Sequence, residues 1–118
     1  MTTQAVANRL VELCRMGQID ACQAELFADN AKSIEFNENF GPKETNGLAA
    51  IKVKSVNFQS MVEEFHGATI SDPIVTGNCF AITWVFDATM KGRGRMVLPE
   101  VCVYKVENGK IILEQFFS

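Results

Sequence analysis

The stretch Cys79–Met90, CFAITWVFDATM, constrains this chain more than any other. It is rich in the β-branched and aromatic residues that suit a pleated strand, and it holds no proline or glycine. Twelve residues of straight strand would run about 40 Å. A domain of 118 residues is not much wider than that, so the strand has to bend. Lys91-Gly92-Arg93-Gly94 then reverses the chain, and Arg95 to Val106 runs back. Pro99 in the middle of that return marks an edge or a bulge, because proline cannot donate to the ladder. Asn108-Gly109 is a strong hairpin signal, and Lys110 to Phe117 forms the last strand. Long strands joined by hairpins make a meander.

The first half reads differently. Val6, Leu10, Leu13 and Cys14 recur at helical spacing from Thr3, and Gly17 is the stop. Asp20, with Gln23 three residues on, suits a capping box for a second helix running to Phe27 and Ala28. Ser33 to Asn37 alternates polar and apolar residues, as a short half-buried strand does. Asn39 to Asn46 is a loop with Gly41 and Pro42. Asn46 is placed to cap a third helix, with Leu48, Ile51, Phe58 and Val62 on one stripe and Ser55 between them. A strand from Glu64 to Ser71 follows, ended by Asp72-Pro73, and Thr76-Gly77-Asn78 makes a turn. Helices first and strands afterwards indicate an α+β fold in one domain, residues 1–118. Three helices on one side of a bent, mainly antiparallel sheet would give a cone with a concave interior.

Phe80, Ile82, Trp84 and Phe86 form one face of the long strand; Ala81, Thr83, Val85 and Asp87 form the other. On the returning strand, Val97, Pro99, Val101 and Val103 oppose Met96, Leu98, Glu100, Cys102 and Tyr104. No face is wholly polar, and a sheet apolar on both sides needs cover on both. The helices cover one side. A second copy of the chain is expected on the other, giving a homodimer through the sheet.

Composition excludes several classes. The net charge of −3 and the scattered Lys and Arg, densest at Lys91, Arg93 and Arg95, give no footprint for nucleic acid. No apolar run approaches the ~20 residues that span a bilayer, and the N-terminus shows no signal-peptide pattern. Cys14, Cys22, Cys79 and Cys102 form no CxxC pair and no metal spacing with the single histidine, so buried free thiols in a cytoplasmic protein are expected, with no metal site. There is no Ser-His-Asp order and no glycine-rich phosphate loop.

The stretches ELFADNA, NGLAAI, SDPIVTGNCFAITWVFDATMKGRGR and VYKVENGKIILEQFF, in this order and spacing, make the chain resemble the nuclear-transport-factor-2-like superfamily and, within it, the SnoaL-like proteins. That superfamily includes ketosteroid isomerases, polyketide cyclases and dehydratases. The resemblance implies a cone-shaped α+β barrel with an apolar pocket and no cofactor. A ketosteroid isomerase uses a tyrosine on the first helix, a hydrogen-bonding acid and an aspartate base on the first strand. On this sequence the tyrosine falls at Leu10, the acid at Val101, and the base at Glu35 or Phe36. With both donors replaced, an enolate loses several kcal/mol of stabilisation, which disfavours steroid isomerisation by that route.

The same placement lines the pocket with Leu10, Phe80, Ile82, Trp84, Phe86, Val101, Val103 and Phe116, and it turns Glu114 inward. A carboxyl among apolar neighbours is desolvated, so its pKa rises toward the range of general acid–base work. Glu114 is therefore the first catalytic candidate, with a counter-charge at the pocket mouth as the structural alternative. Glu35 and His66 are candidates to assist, His66 because imidazole titrates near neutrality. Glu100 faces inward only if a bulge at Pro99 turns it. The expected function is binding of a small apolar molecule, with cofactor-free isomerisation, cyclisation or dehydration as the chemistry. The alternative is a non-catalytic binding or dimeric accessory module on the same fold.

Overall fold

A computed structural model describes residues 1–118. Helix α1 (Thr3–Arg15) is capped by the Thr2 hydroxyl, which accepts from the Ala5 N–H at 3.1 Å. Val6, Leu10, Leu13 and Cys14 lie buried along it, and Gly17 follows in the left-handed region at φ +71°. Helix α2 (Ile19–Leu26) starts one residue before Asp20, so the capping box does not form. Its Gln23 turns inward instead and donates to the Ser55 hydroxyl at 2.8 Å.

Strand β1 (Phe27–Ile34) begins where the helical reading expected α2 to continue, and it ends at Ile34 rather than Asn37. Sheet pairing decides the outcome: β1 is held on both sides, by β2 (Glu44–Asn46) and by β7 (Lys110–Phe117). Asn46 belongs to β2, so the cap of α3 (Leu48–Ser60) is Gly47 at φ +92°, with no side-chain bond. Strands β3 (Val62–Ile70), β4 (Ile74–Thr76), β5 (Cys79–Met90) and β6 (Gly94–Glu107) complete the chain.

The sheet runs β2-β1-β7-β6-β5-β3, with β4 also on β5. Only β1–β7 is parallel, so the sheet is mixed and mostly antiparallel. Three helices pack on it; it curves but does not close, leaving β2 and β3 as edges. The core joins Leu10 and Leu13 of α1 to Phe80, Ile82, Tyr104 and Ile111 of the sheet. Phe80 and Tyr104 stack with centroids 4.8 Å apart. No helix is long and apolar enough to cross a membrane.

Register sets which side chains face the helices. Met90 pairs with Gly94, so the turn spans Lys91, Gly92 and Arg93, not four residues. Even residues of β5 therefore oppose even residues of β6: Phe80 with Tyr104, Ile82 with Cys102, Trp84 with Glu100, Phe86 with Leu98. A four-residue turn would have placed Arg95 opposite Met90 and reversed every β6 side chain. The next hairpin turns tightly, with Asn108 at φ +51° and Gly109 at φ +75°. Its ladder then slips, from Val106 opposite Ile111 to Lys105 opposite Leu113, leaving Ile112 as the extra residue. Tyr104 consequently meets Glu114, and Cys102 meets Phe116. Val101 and Val103 pair with Phe117 and Gln115 on the outer face, which corrects their assignment to the pocket. Pro99 lies beyond the last β7 pair, Val101 with Phe117, so it sits on a locally open edge, and no register shift occurs there.

Candidate functional site

Between the helices and the inner sheet face lies a cavity of about 390 Å³. Its walls are mainly apolar and aromatic, including Phe27, Phe40, Phe58, Trp84, Phe86 and Phe116. The exposed residues on its lining, Phe36, Asn39, Gln59, Pro99 and Ser118, mark its mouth. Leu10 lines it as expected. Phe80 and Ile82 face the same way but lie deeper, fully packed in the core and out of reach of the cavity.

Three acidic side chains and one basic one converge on this space: Glu35, Glu100, Glu114 and Lys54. The parallel β1–β7 register sets Ser33 beside Glu114. The Ser33 hydroxyl donates to Glu114 Oε1 at 2.8 Å. The Lys54 ammonium, reaching in from α3, donates to Ser33 Oγ at 2.5 Å and to Glu35 Oε2 at 2.9 Å. It also lies 5.4 Å from the centroid of the Phe116 ring. Glu35 follows the end of β1, which frees both it and Phe36 to border the cavity. Glu35, Lys54, Ser33 and Glu114 thus form one continuous polar chain from wall to floor.

Glu114 is only 6% exposed. Burial pushes its carboxyl up to about 7, Lys54 and the Ser33 hydrogen bond pull it down, and Glu35 pushes it up further. Glu100 is also pushed up to about 7, first by burial and then by Glu35 and Glu114, against the pull of Lys54. Two carboxyls that exchange protons near neutrality therefore face one apolar space. The thiols of Cys14 and Cys102 and the Tyr104 hydroxyl, which border it too, are held protonated by their surroundings, the hydrogen bond to Cys22 leading for Cys14 and burial for the other two.

His66 does not join them. It stands in a bulge of β3, between Phe65 opposite Ala88 and Gly67 opposite Asp87. Its Nε2 lies 2.7 Å from the Thr89 hydroxyl, with Glu64 at 3.9 Å, outside the cavity. The acid position placed at Val101 also leaves the cavity, and Glu100 occupies the inner face beside it. Glu100 thus brings a carboxyl to the cavity one residue away from Val101, and Leu10 lines the same cavity. All four cysteines are unpaired, and no group of three or more metal-type ligands comes together.

The sequence reading overlooked Lys54 and Ser33. Lys54 had a signal, since it lies three residues after Ile51 and four before Phe58, on the stripe that faces the sheet. Ser33 had none: its alternation with Ile34 assigns it to the solvent side, yet it is fully buried.

The whole chain, residues 1–118, matches the SnoaL-like domain family, and the protein belongs to it. Among solved structures it is similar to a Mesorhizobium loti protein proposed to be a SnoaL-like polyketide cyclase. The two are 35% identical over 100% of each chain, with a TM-score of 0.93. A Xanthomonas campestris protein of unknown function with a cystatin-like fold shares 20% identity and a TM-score of 0.83, over 100% of this chain and 91% of that one. A Catenulispora acidiphila protein with a ketosteroid isomerase-like fold, solved with trimethylamine, shares 18% identity and a TM-score of 0.74, over 96% and 84%. These last two likenesses concern the fold. No curated protein sequence matches the chain.

Proposed function

We propose that the protein binds a small, mostly apolar carbonyl compound in the cavity and moves a proton on it without a cofactor, in an isomerisation, cyclisation or dehydration. The observation that carries this reading is the pair of carboxyls, Glu114 and Glu100, each pushed up to about 7 on the wall of one apolar cavity. A group that titrates near the working pH is both a competent acid and a competent base. Glu114 is the principal acid–base residue. Glu35 assists through Lys54 and Ser33, whose bonds fix the orientation of Glu114. The similarity to the Mesorhizobium loti protein supports cyclase-type chemistry. His66 is left a structural role beside Thr89. The protein works in the cytoplasm, where four free thiols persist, and as a homodimer through the outer sheet face.

The internal bond from Ser33 to Glu114 favours a second reading, a binding module in which the carboxyl is a fixed feature of the wall. Exchange of α-protons of apolar cyclic ketones in deuterated water, followed by NMR, separates the two. The enzyme reading expects enzyme-dependent exchange that falls at least about a hundredfold in Glu114→Gln. Exchange unchanged by that substitution removes Glu114 from the chemistry. Ketone binding without exchange leaves the module.

A further inference from the structure

We infer that the preferred ligand of this cavity carries a positive charge, an ammonium group on an apolar body, and that Glu100 together with Trp84 receives it. The inference rests on the ligand-binding reading above and adds the ligand's class.

Three observations carry it. First, the ionisable side chains that face Glu100 are unbalanced: Glu35 after β1, Glu114 on β7 and Lys54 on α3, with no arginine or histidine on the lining. The thiols of Cys102 on β6 and Cys14 on α1 and the Tyr104 hydroxyl, which also border the cavity, are held protonated. Second, Lys54 is already engaged by Glu35 and Ser33. Glu35 and Glu114 each have a partner within the chain, whereas Glu100 makes no hydrogen bond and no ion pair. Third, Glu100 stands directly opposite Trp84 on the inner face. A carboxylate beside an indole is the combination that holds an organic ammonium, the charge meeting the acid and its alkyl shell the ring.

A further polar contact is open deeper in. Gln23 is 5% exposed and lines the cavity; its amide NH₂ is spent on Ser55, and its Oε1 has no donor. A ligand N–H or O–H satisfies that acceptor, whose desolvation is otherwise uncompensated. On the lining itself the one cation, Lys54, is already engaged; Arg93, outside it, lies over the Phe40 ring and donates to the Asn39 carbonyl at the mouth.

Trp84 is the single tryptophan of the chain, so its fluorescence reports the site directly. The probes are benzyltrimethylammonium, its neutral carbon isostere neopentylbenzene, and phenylacetate. At pH 8 the cation is expected to bind about tenfold tighter than the isostere, a difference of ~1.4 kcal/mol. Phenylacetate is expected to bind weakest. The preference should shrink at pH 6, because Glu100 is then protonated, and Glu100→Gln should reduce it at least about fivefold. The pH series on the unsubstituted protein stands in should the variant misfold by circular dichroism. Equal or tighter binding of neopentylbenzene or phenylacetate overturns the inference, as does a cation preference that survives Glu100→Gln. If neutral ketones still bind and exchange in that case, the acid–base reading stands. If no apolar probe binds at all, both readings fall.

Discussion

The inner and outer faces of β5–β6 both carry apolar side chains, yet these have opposite fates. Inside, Phe80 and Ile82 are 1% and 2% exposed and packed against α1, while Trp84 and Phe86 border the cavity. Outside, Val97 and Val101 are 58% and 42% exposed, with Phe117 beside Val101. What separates the faces is the company each keeps. The three helices cover one side and leave the other bare. Two carboxyls run against that division: Glu100 and Glu114 are on the covered side, whereas Thr83, Asp87, Arg95 and Lys105 are on the outer one.

The largest expected effect comes from truncating one apolar side chain on each face of the sheet. Phe80→Ala removes a ring fully packed on Tyr104, and urea unfolding should show a loss of about 3–5 kcal/mol. Val97→Ala on the other face should cost less than about 1 kcal/mol. Similar losses at both positions would mean that the outer face is buried as deeply as the inner one in solution.

The second effect concerns the buried carboxyl. The folded-state pKa of Glu114 lies above the ordinary 4.5, at about 7, so the folded protein holds a proton that the unfolded chain releases. The sign follows: this group's contribution to stability is fully present below pH 4.5, falls as pH rises through 4.5 to 7, and is flat above. Between pH 5 and pH 7.5 the protein should lose on the order of 2 kcal/mol from Glu114, with a smaller part from the less buried Glu100. Urea midpoints across that window measure it, and Glu114→Gln should flatten the slope. A slope that persists unchanged in Glu114→Gln would place the proton elsewhere.

The elements of this fold were legible in the sequence more than their alignment was. The boundaries of α1 and β7, the Asn108-Gly109 turn and the antiparallel meander all follow from periodicity and turn chemistry. The faces of β6 did not follow. The placement implied by the resemblance puts Val101 and Val103 inside, as a four-residue KGRG turn followed by an unbroken last hairpin would. The structure shortens the first turn by one residue and inserts Ile112 as an extra in the second ladder. The two one-residue changes cancel between β5 and β7, so Glu114 and Phe116 face inward under either alignment, and only β6 inverts. With both faces of β6 carrying apolar residues, the pattern held nothing to reveal the slip. The same gap hid Glu100, which needs no bulge to enter the cavity. Lys54 and Ser33 were obscured for a different reason: their burial depends on α3 and β1 meeting across the chain, which no local pattern records.

The smallest effect on the fold, and the sharpest test of the comparison, belongs to the outer face. Val101 pairs with Phe117 on one side and Thr83 on the other, next to Val103 and Val85, forming a stripe that the helices leave uncovered. If a second copy covers it, the protein sediments as a dimer at micromolar concentration. Val101→Lys, which places an ammonium at the centre of that stripe, should then shift it to monomer. The substitution touches no cavity residue, so binding seen by Trp84 fluorescence should persist, and the stability of the isolated chain should change by no more than about 0.5 kcal/mol. A monomer before substitution removes the second copy as the cover of this face. A dimer indifferent to Val101→Lys moves the contact to another surface, with the exposed Val53 and Val56 of α3 next in line.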